Sequence, residues 1–80
     1  RFDKKLYKLR THEIYPALIA LSKMKGMEHS FSFGQEIHIY SKVDIDEKWL
    51  EDHLKAQGVK QVEVFRGQPG IEDCFMDLMV

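Results

Sequence analysis

Hydrophobic residues in this chain switch between the spacing of strands and the spacing of helices, and these changes divide the eighty residues into seven segments. Apolar residues at every second position predict strands near residues 6–10, 29–33, 37–41 and 62–64. Apolar residues three or four positions apart predict helices that begin near residues 13, 45 and 71. Gly26 is expected to end the first helix, and Gly58 is expected to end the second as a left-handed cap.

This order of elements predicts an α+β fold. Two strand–helix–strand units around a central hairpin are typical of a ferredoxin-like βαββαβ fold, in which a four-stranded antiparallel sheet carries helices on one face. The last predicted helix is then an extra C-terminal helix. No linker interrupts the pattern, so residues 1–80 are interpreted as a single small domain. Because the sequence opens with Arg1 rather than methionine, we expect this domain to be excised from the C-terminus of a longer protein.

The turn between the second and third strands decides which residues face the core. A two-residue turn would pair Phe33 with Glu36 and place the phenylalanines of the second strand opposite to the isoleucines of the third. A three-residue loop that begins at Gly34 would pair Phe33 with Ile37 and gather these apolar residues on one core face. We favour the three-residue loop. The other face would then carry Ser30, Ser32, His38 and Tyr40.

The second helix has two possible starts that differ by two residues. Asp44 begins a capping-box pattern, and Asp46 begins a hydrophobic-staple pattern. The expected buried sides are Ile14, Leu18 and Leu21 in the first helix, and Trp49, Leu50 and Leu54 in the second.

The C-terminal segment has the pattern of a short amphipathic helix. Ile71, Phe75 and Leu78 recur at the i, i+4 and i+7 spacing of one helical stripe. Glu72 and Asp73 lie off this stripe, near the helix N-terminus, where a carboxylate interacts favourably with the helix dipole. The segment is therefore predicted to dock on the rest of the domain through its apolar stripe.

Composition and motifs argue against catalysis and nucleic-acid binding by these residues. The formal net charge is −1, whereas nucleic-acid binding requires a surplus of lysine and arginine. The sequence has no G-x-x-x-x-G-K-[S/T] loop to hold a nucleotide phosphate. Its four histidines lack metal-ligand spacing, and Cys74 is its one cysteine. We expect no enzyme active site, metal or cofactor in this domain.

Three short motifs, taken in order, resemble the C-terminal part of bacterial ABC transporter ATP-binding subunits. The segment G-I-E-D-C-F-M-D-L at residues 70–78 is similar to the [S/G]-[L/I]-E-D-[V/C]-F-x-x-L tail of that family. The segments F-G-Q-E-I-H at residues 33–38 and L-R-T at residues 9–11 resemble its F-G-x-x-hydrophobic-H hairpin and its L-R-T opening. The family more often has aliphatic residues at the positions of Cys74 and Met76, and serine at that of Gly70. The motif and packing residues given by the resemblance are Phe33, Gly34, His38, Ile71, Glu72, Asp73, Phe75 and Leu78.

The resemblance implies a non-catalytic accessory or regulatory domain of an ABC transporter ATP-binding protein. ATP and magnesium are then expected in a nucleotide-binding domain that precedes these residues in the parent protein. The implied partners are that nucleotide-binding domain, a second copy of this domain and, through the parent protein, a membrane permease. The implied location is the cytoplasm, at the inner face of the cell membrane.

Two other functions fit a ferredoxin-like order of elements. An ACT-like module that senses a small molecule requires a glycine-rich turn after the first strand, and residues 9–12 contain no glycine. An RNA-recognition module requires exposed aromatic and basic residues on the central strands, which His38 and Tyr40 supply only in small part. The accessory-domain interpretation is preferred to both.

Overall fold

The computed structural model of this chain describes residues 4–27, 29–68, 70, 71 and 73. The described residues form the elements β1 (Lys5–Arg10), α1 (Ile14–Ser22), β2 (Ser30–Phe33), β3 (Glu36–Ser41), α2 (Glu47–Ala56) and β4 (Glu63–Arg66). The strands form an antiparallel sheet in the order β2-β3-β1-β4. The predicted α+β, ferredoxin-like fold is therefore confirmed. Of the predicted C-terminal helix, only Ile71 and Asp73 belong to the described residues, and both have helical backbone.

The hydrophobic core lies between the sheet and the two helices. Strands β1 and β3 contribute alternate residues to it, because every second side chain of a strand points to the same side. We call this side of the sheet the helix face. Each fully buried leucine here contributes about 1.5–3 kcal/mol of hydrophobic stabilisation. The buried residues of the core are Tyr7, Leu9, Ala17, Ala20, Leu21, Met27, Ile37, Ile39, Leu50, Leu54, Val59 and Val64.

Helix α1 meets the core through small residues as well as large ones. Leu21 is fully buried, as predicted. Ile14 and Leu18, also predicted to be buried, are partly buried and pack against the margin of the core. Ala17 and Ala20 lie in the interior, and their small side chains allow the helix backbone to approach the sheet closely.

Helix α2 begins after Asp46, one of its two predicted starts. Asp46 Oδ1 accepts hydrogen bonds from two backbone N–H groups of the first turn, at 3.0 and 3.4 Å, as an N-cap residue does. Leu50 and Leu54 are fully buried, as predicted. The prediction that Trp49 is buried is wrong, because its side chain is 51% exposed and stacks on His53. Successive residues are 100° apart around a helix, so Trp49 is turned away when Leu50 faces the sheet.

The turn between β2 and β3 has two residues, so the predicted three-residue loop is wrong. Phe33 pairs with Glu36, and Ser32 pairs with Ile37. Gly34 has a φ of +65°, whereas no residue other than glycine has a positive φ in the described part of the chain. A glycine with positive φ at the first central position is typical of a type II′ turn, whose twist matches that of the flanking strands.

This turn places the phenylalanines of β2 on the side of the sheet away from the helices, which we call the distal face. The predicted polar face is therefore wrong for Ser30 and Ser32, which share the helix face with the isoleucines of β3. The distal face is itself covered, since Leu6 and Tyr40 are only 1% and 3% exposed. A sheet that is covered on both sides needs apolar residues on both sides. The distal face consists of Leu6, Lys8, Arg10, Phe31, Phe33, Glu36, His38, Tyr40, Glu63 and Phe65.

We predict that Gly34→Ala lowers the free energy of unfolding by about 1–2 kcal/mol. An added Cβ would meet no atom within 4 Å, so the loss comes from the left-handed backbone conformation alone. Gln35→Ala, in the same exposed turn, is the matched control and should change the stability by less than about 0.5 kcal/mol. Urea unfolding followed by circular dichroism measures both variants, and equal stabilities would contradict the two-residue turn.

Candidate functional site

Polar side chains from the middle of the sheet meet the C-terminal part of the chain on the distal face. Glu36, His38 and Tyr40 lie there because the residues between them pack into the core on the helix face. Their strand, β3, lies between β1 and β2. The chain that follows β4 brings Asp73 to these side chains, and Asp73 is 1% exposed.

The Asp73 carboxylate is buried but has three hydrogen-bond partners. Its Oδ1 atom lies 2.6 Å from His38 Nδ1 and accepts a hydrogen bond of 2.6 Å from the Tyr40 hydroxyl. Its Oδ2 atom accepts a hydrogen bond of 2.8 Å from the backbone N–H of Gly70, three residues earlier. A capping box contains the same bond, between the side chain at helix position N3 and the backbone N–H of the N-cap residue. These donors replace the water that the carboxylate loses on burial. We call Asp73, His38 and Tyr40 the Asp73 cluster.

The hydrogen bonds also fix the protonation of the cluster. Burial raises the pKa of Asp73, but the hydrogen bonds from Gly70, Tyr40 and His38 outweigh burial and hold the pKa below its ordinary value. Asp73 is therefore an anion at neutral pH and accepts from both of its Oδ1 partners. This assigns a proton to Nδ1 of His38, which donates it to Asp73.

An ion pair between β1 and β3 extends the network away from Asp73. Arg10 Nη2 donates a hydrogen bond of 2.9 Å to Glu36 Oε2. This hydrogen bond is the largest cause of the lowered pKa of Glu36, to which His38 also contributes while burial opposes it. Glu36 Oε1 lies 3.5 Å from Nε2 of His38. His38 is thus placed between two carboxylates, with one ring nitrogen toward each.

Aromatic rings flank the Asp73 cluster. The ring of Phe33 lies 4.5 Å from the ring of His38, and the ring of Phe31 lies 5.9 Å from that of Tyr40, measured between centroids. His38 and Tyr40 are 7% and 3% exposed. Hydrogen bonds that are shielded from water in this way are stronger than exposed ones, because the local dielectric constant is lower.

The arrangement is suited to holding two parts of the chain together. An Asp–His pair can also orient a catalytic histidine, but that role requires a nucleophile or a substrate atom near the second ring nitrogen. In this protein the second nitrogen of His38 faces Glu36, next to the ring of Phe33. Within the described residues, no group of three His, Cys, Asp or Glu side chains is placed to hold a metal ion.

The structure agrees with the sequence-based expectation for some of the predicted motif residues and contradicts it for others. Phe33, Gly34 and His38 lie together at the β2–β3 hairpin, and His38 contacts the C-terminal segment through Asp73. The prediction that Ile71 is buried is wrong, because Ile71 is 85% exposed. Asp73, which was predicted to act only on the helix dipole, is instead the residue that faces the sheet. Glu72, Phe75 and Leu78 lie outside the described residues.

Sequence reasoning missed the network that joins these motifs. Arg10 and Glu36 lie within two of the motifs but show no local sign of pairing, since 26 positions separate them. The information that finds them is the register of β1 against β3, which pairs Arg10 with Glu36. No known protein family matches the sequence, and neither curated proteins nor solved structures give a significant match.

We predict that Asp73→Asn lowers the free energy of unfolding by about 1–3 kcal/mol. The amide keeps the shape of the carboxylate but replaces one acceptor oxygen with an NH₂ group and removes the charge. Asp44→Asn is the matched control, because Asp44 is exposed and lies 3.9 Å from both Lys5 and Arg66. The control should lose no more than about 0.5 kcal/mol. Denaturant unfolding at neutral pH measures both, and equal losses would refute a stabilising role for the cluster.

The lowered pKa values of Asp73 and Glu36 predict a loss of stability in acid. A carboxyl group whose pKa is lower in the folded state binds fewer protons there, so its contribution is complete above the unfolded pKa of about 4. The contribution is lost as the pH falls from about 4 through the folded pKa. Denaturant unfolding at a series of pH values measures this slope. Asp73→Asn should flatten it, and an unchanged slope would contradict the prediction.

Proposed function

We propose that these residues form a non-catalytic C-terminal accessory domain of an ABC transporter ATP-binding protein. The domain would support the assembly or the regulation of ATP-driven transport. ATP and magnesium would be bound by a nucleotide-binding domain elsewhere in the same polypeptide. The location implied by this role is the cytoplasmic side of the cell membrane. Within the described residues, no helix has the length and apolar character needed to cross a bilayer.

The observation that carries this proposal is the contact between the motifs on which the resemblance rests. His38 of F-G-Q-E-I-H lies 2.6 Å from Asp73 of I-E-D-C-F, across 35 positions of sequence. Arg10 of L-R-T donates to Glu36 of the hairpin motif at 2.9 Å. All three motifs therefore belong to one network. Short motifs that support the same structural unit are expected to meet in this way, whereas chance matches have no reason to do so.

The chemistry of the network supports a structural role. Each polar group of the Asp73 cluster contacts another polar group of the protein, through a hydrogen bond or, for Nε2 of His38, through its contact with Glu36. A catalytic carboxylate or imidazole instead needs an atom that is available to substrate. The cluster holds Asp73 and the backbone at Gly70 against the sheet.

Helix α1 offers a surface for the proposed partner domain. Tyr15 and Ile19 are 76% and 48% exposed and lie one turn apart on the same side of α1. Adjacent exposed apolar side chains are typical of interfaces between proteins or domains. We propose that this pair packs on the nucleotide-binding domain of the same polypeptide.

The structure gives less support to RNA recognition. Phe31 and Phe33 lie on the distal face but on the edge strand β2, whereas an RNA-recognition module needs exposed aromatic residues on the two central strands. On the central strand β3, His38 and Tyr40 are nearly buried and are engaged by Asp73. An ACT-like ligand site is also less well supported, because the connection from β1 to α1 contains no glycine.

The proposal is tested with the full-length protein that contains these residues. We expect its preceding sequence to contain a G-x-x-x-x-G-K-[S/T] loop and the ABC signature, and we expect the purified protein to hydrolyse ATP. A full-length protein that lacks this loop would overturn the proposed function.

In the full-length protein, the double substitution Tyr15→Ser and Ile19→Ser is predicted to weaken the contact between the two domains. The melting temperature of the nucleotide-binding domain should fall by about 2–4 °C, because it loses about 1 kcal/mol of interface energy. Differential scanning calorimetry measures this change. Val43→Ser is the control, since Val43 is 66% exposed and lies outside α1. If the double substitution has no larger effect than the control, α1 is not the docking surface.

A further inference from the structure

The two borders of the sheet, β2 and β4, differ in how their main-chain groups are used. On β4, the backbone N–H of Val64 points away from the sheet and donates a hydrogen bond of 2.9 Å to the carboxylate of Glu51 on α2. The strand also carries two charged side chains, Glu63 and Arg66. Covered main-chain groups and charged side chains hinder the addition of another strand. The β4 border is therefore protected.

The main-chain groups of the β2 border have no such cover. His29 O accepts a hydrogen bond of 3.0 Å from the backbone N–H of Tyr40 on β3. Because this bonding alternates along an antiparallel pair, the N–H and C=O groups of Ser30 and Ser32 point away from β3. In the part of the chain that the structure describes, these outward main-chain groups have no hydrogen-bond partner.

The side chains of β2 also favour contact with another strand. The strand has the sequence S-F-S-F, with no charged residue and no proline. Phe31 and Phe33 are partly exposed and lie on the distal face. A border strand that is uncharged and contains aromatic residues lacks the features that normally prevent pairing between chains.

We propose that the β2 border pairs with the β2 border of a second copy of this chain. Antiparallel pairing about a two-fold axis at Phe31 places Ser30 of one copy opposite Ser32 of the other. Two residues paired in this way exchange both of their main-chain hydrogen bonds, so all the outward groups of β2 find partners. The assembly closes at two copies, because the β4 border is protected.

Several properties of the β2 border favour a second copy as its partner. Its donors and acceptors match their own images under the two-fold axis, and no like charges meet, because the strand is uncharged. Phe31 of one copy lies beside Phe31 of the other on the distal face, as an aromatic cross-strand pair. The main-chain bonds are few, so these side chains supply much of the affinity. The interface is smaller than the roughly 1,200 Å² of a stable complex, and a weak dimer is expected.

The dimer is tested by sedimentation velocity of the chain over a series of concentrations. We expect a monomer–dimer equilibrium with a dissociation constant between about 1 μM and 1 mM, and no larger species. Ser32→Pro removes an outward N–H, a change that border strands accept, and should weaken the dimer at least about tenfold. Ser32→Ala keeps the N–H and is the matched control, which should leave the equilibrium unaltered.

Ser32→Lys is a second variant that leaves the backbone unchanged. The side chain of Ser32 is exposed, so the lysine reaches water in the monomer. In the dimer the two lysines lie on the same side of the sheet near the axis and repel each other, and added salt should restore part of the lost affinity. Ser32→Gln is its uncharged control. Circular dichroism checks that each variant keeps the fold.

Amide hydrogen exchange measured by NMR locates the interface. The N–H groups of Ser30 and Ser32 should exchange more slowly as the concentration rises, whereas that of Arg66, on the β4 border, should not change. A chain that stays monomeric, or a dimer that neither Ser32→Pro nor Ser32→Lys weakens, would overturn the proposal. So would a dimer that Tyr15→Ser with Ile19→Ser dissociates and the Ser32 variants do not. The pairing uses neither the Asp73 cluster nor α1, so these outcomes are independent of the proposed function.

Discussion

A charged carboxylate that leaves water must be met by donors from the protein, and Asp73 imposes that requirement on this domain. Its partners come from β3 and from the backbone at Gly70. These partners are in place only when β3 has its correct register and when Gly70 and Asp73 lie against the distal face. One buried anion therefore ties the end of the described chain to the middle of the sheet.

The small size of the domain accounts for the apolar residues on both sides of the sheet. A chain of eighty residues buries a smaller fraction of its surface than a larger domain does, so a sheet covered on only one side would give a modest core. Here Leu6 and Tyr40 are buried on the distal face, while the leucines of α1 and α2 fill the other side. The phenylalanines of β2 then contribute to the second covered face, beside the polar network.

The local spacing of residues was sufficient to predict the order of elements and most of the core, because helix and strand periods are properties of short segments. Leu21, Leu50 and Leu54 are examples. The register of β2 could not be predicted in the same way, because both turns were compatible with the local sequence. The choice between the two turns depends on whether the distal face is covered. Asp73 contacts that face through His38, and the two residues are more than thirty positions apart in the sequence. For the same reason, local spacing placed Ile71 inside and Asp73 outside, and the structure has them the other way round.

The borders of the sheet restrict how another molecule can recognise this domain. Strands β2 and β4 form the two borders, and each has four residues. A foreign strand that aligned with either border would gain few main-chain hydrogen bonds, because so short a strand has few unpaired groups. Recognition must then rely on side chains, and the choice of partner can be altered by surface substitutions while the backbone stays as it is.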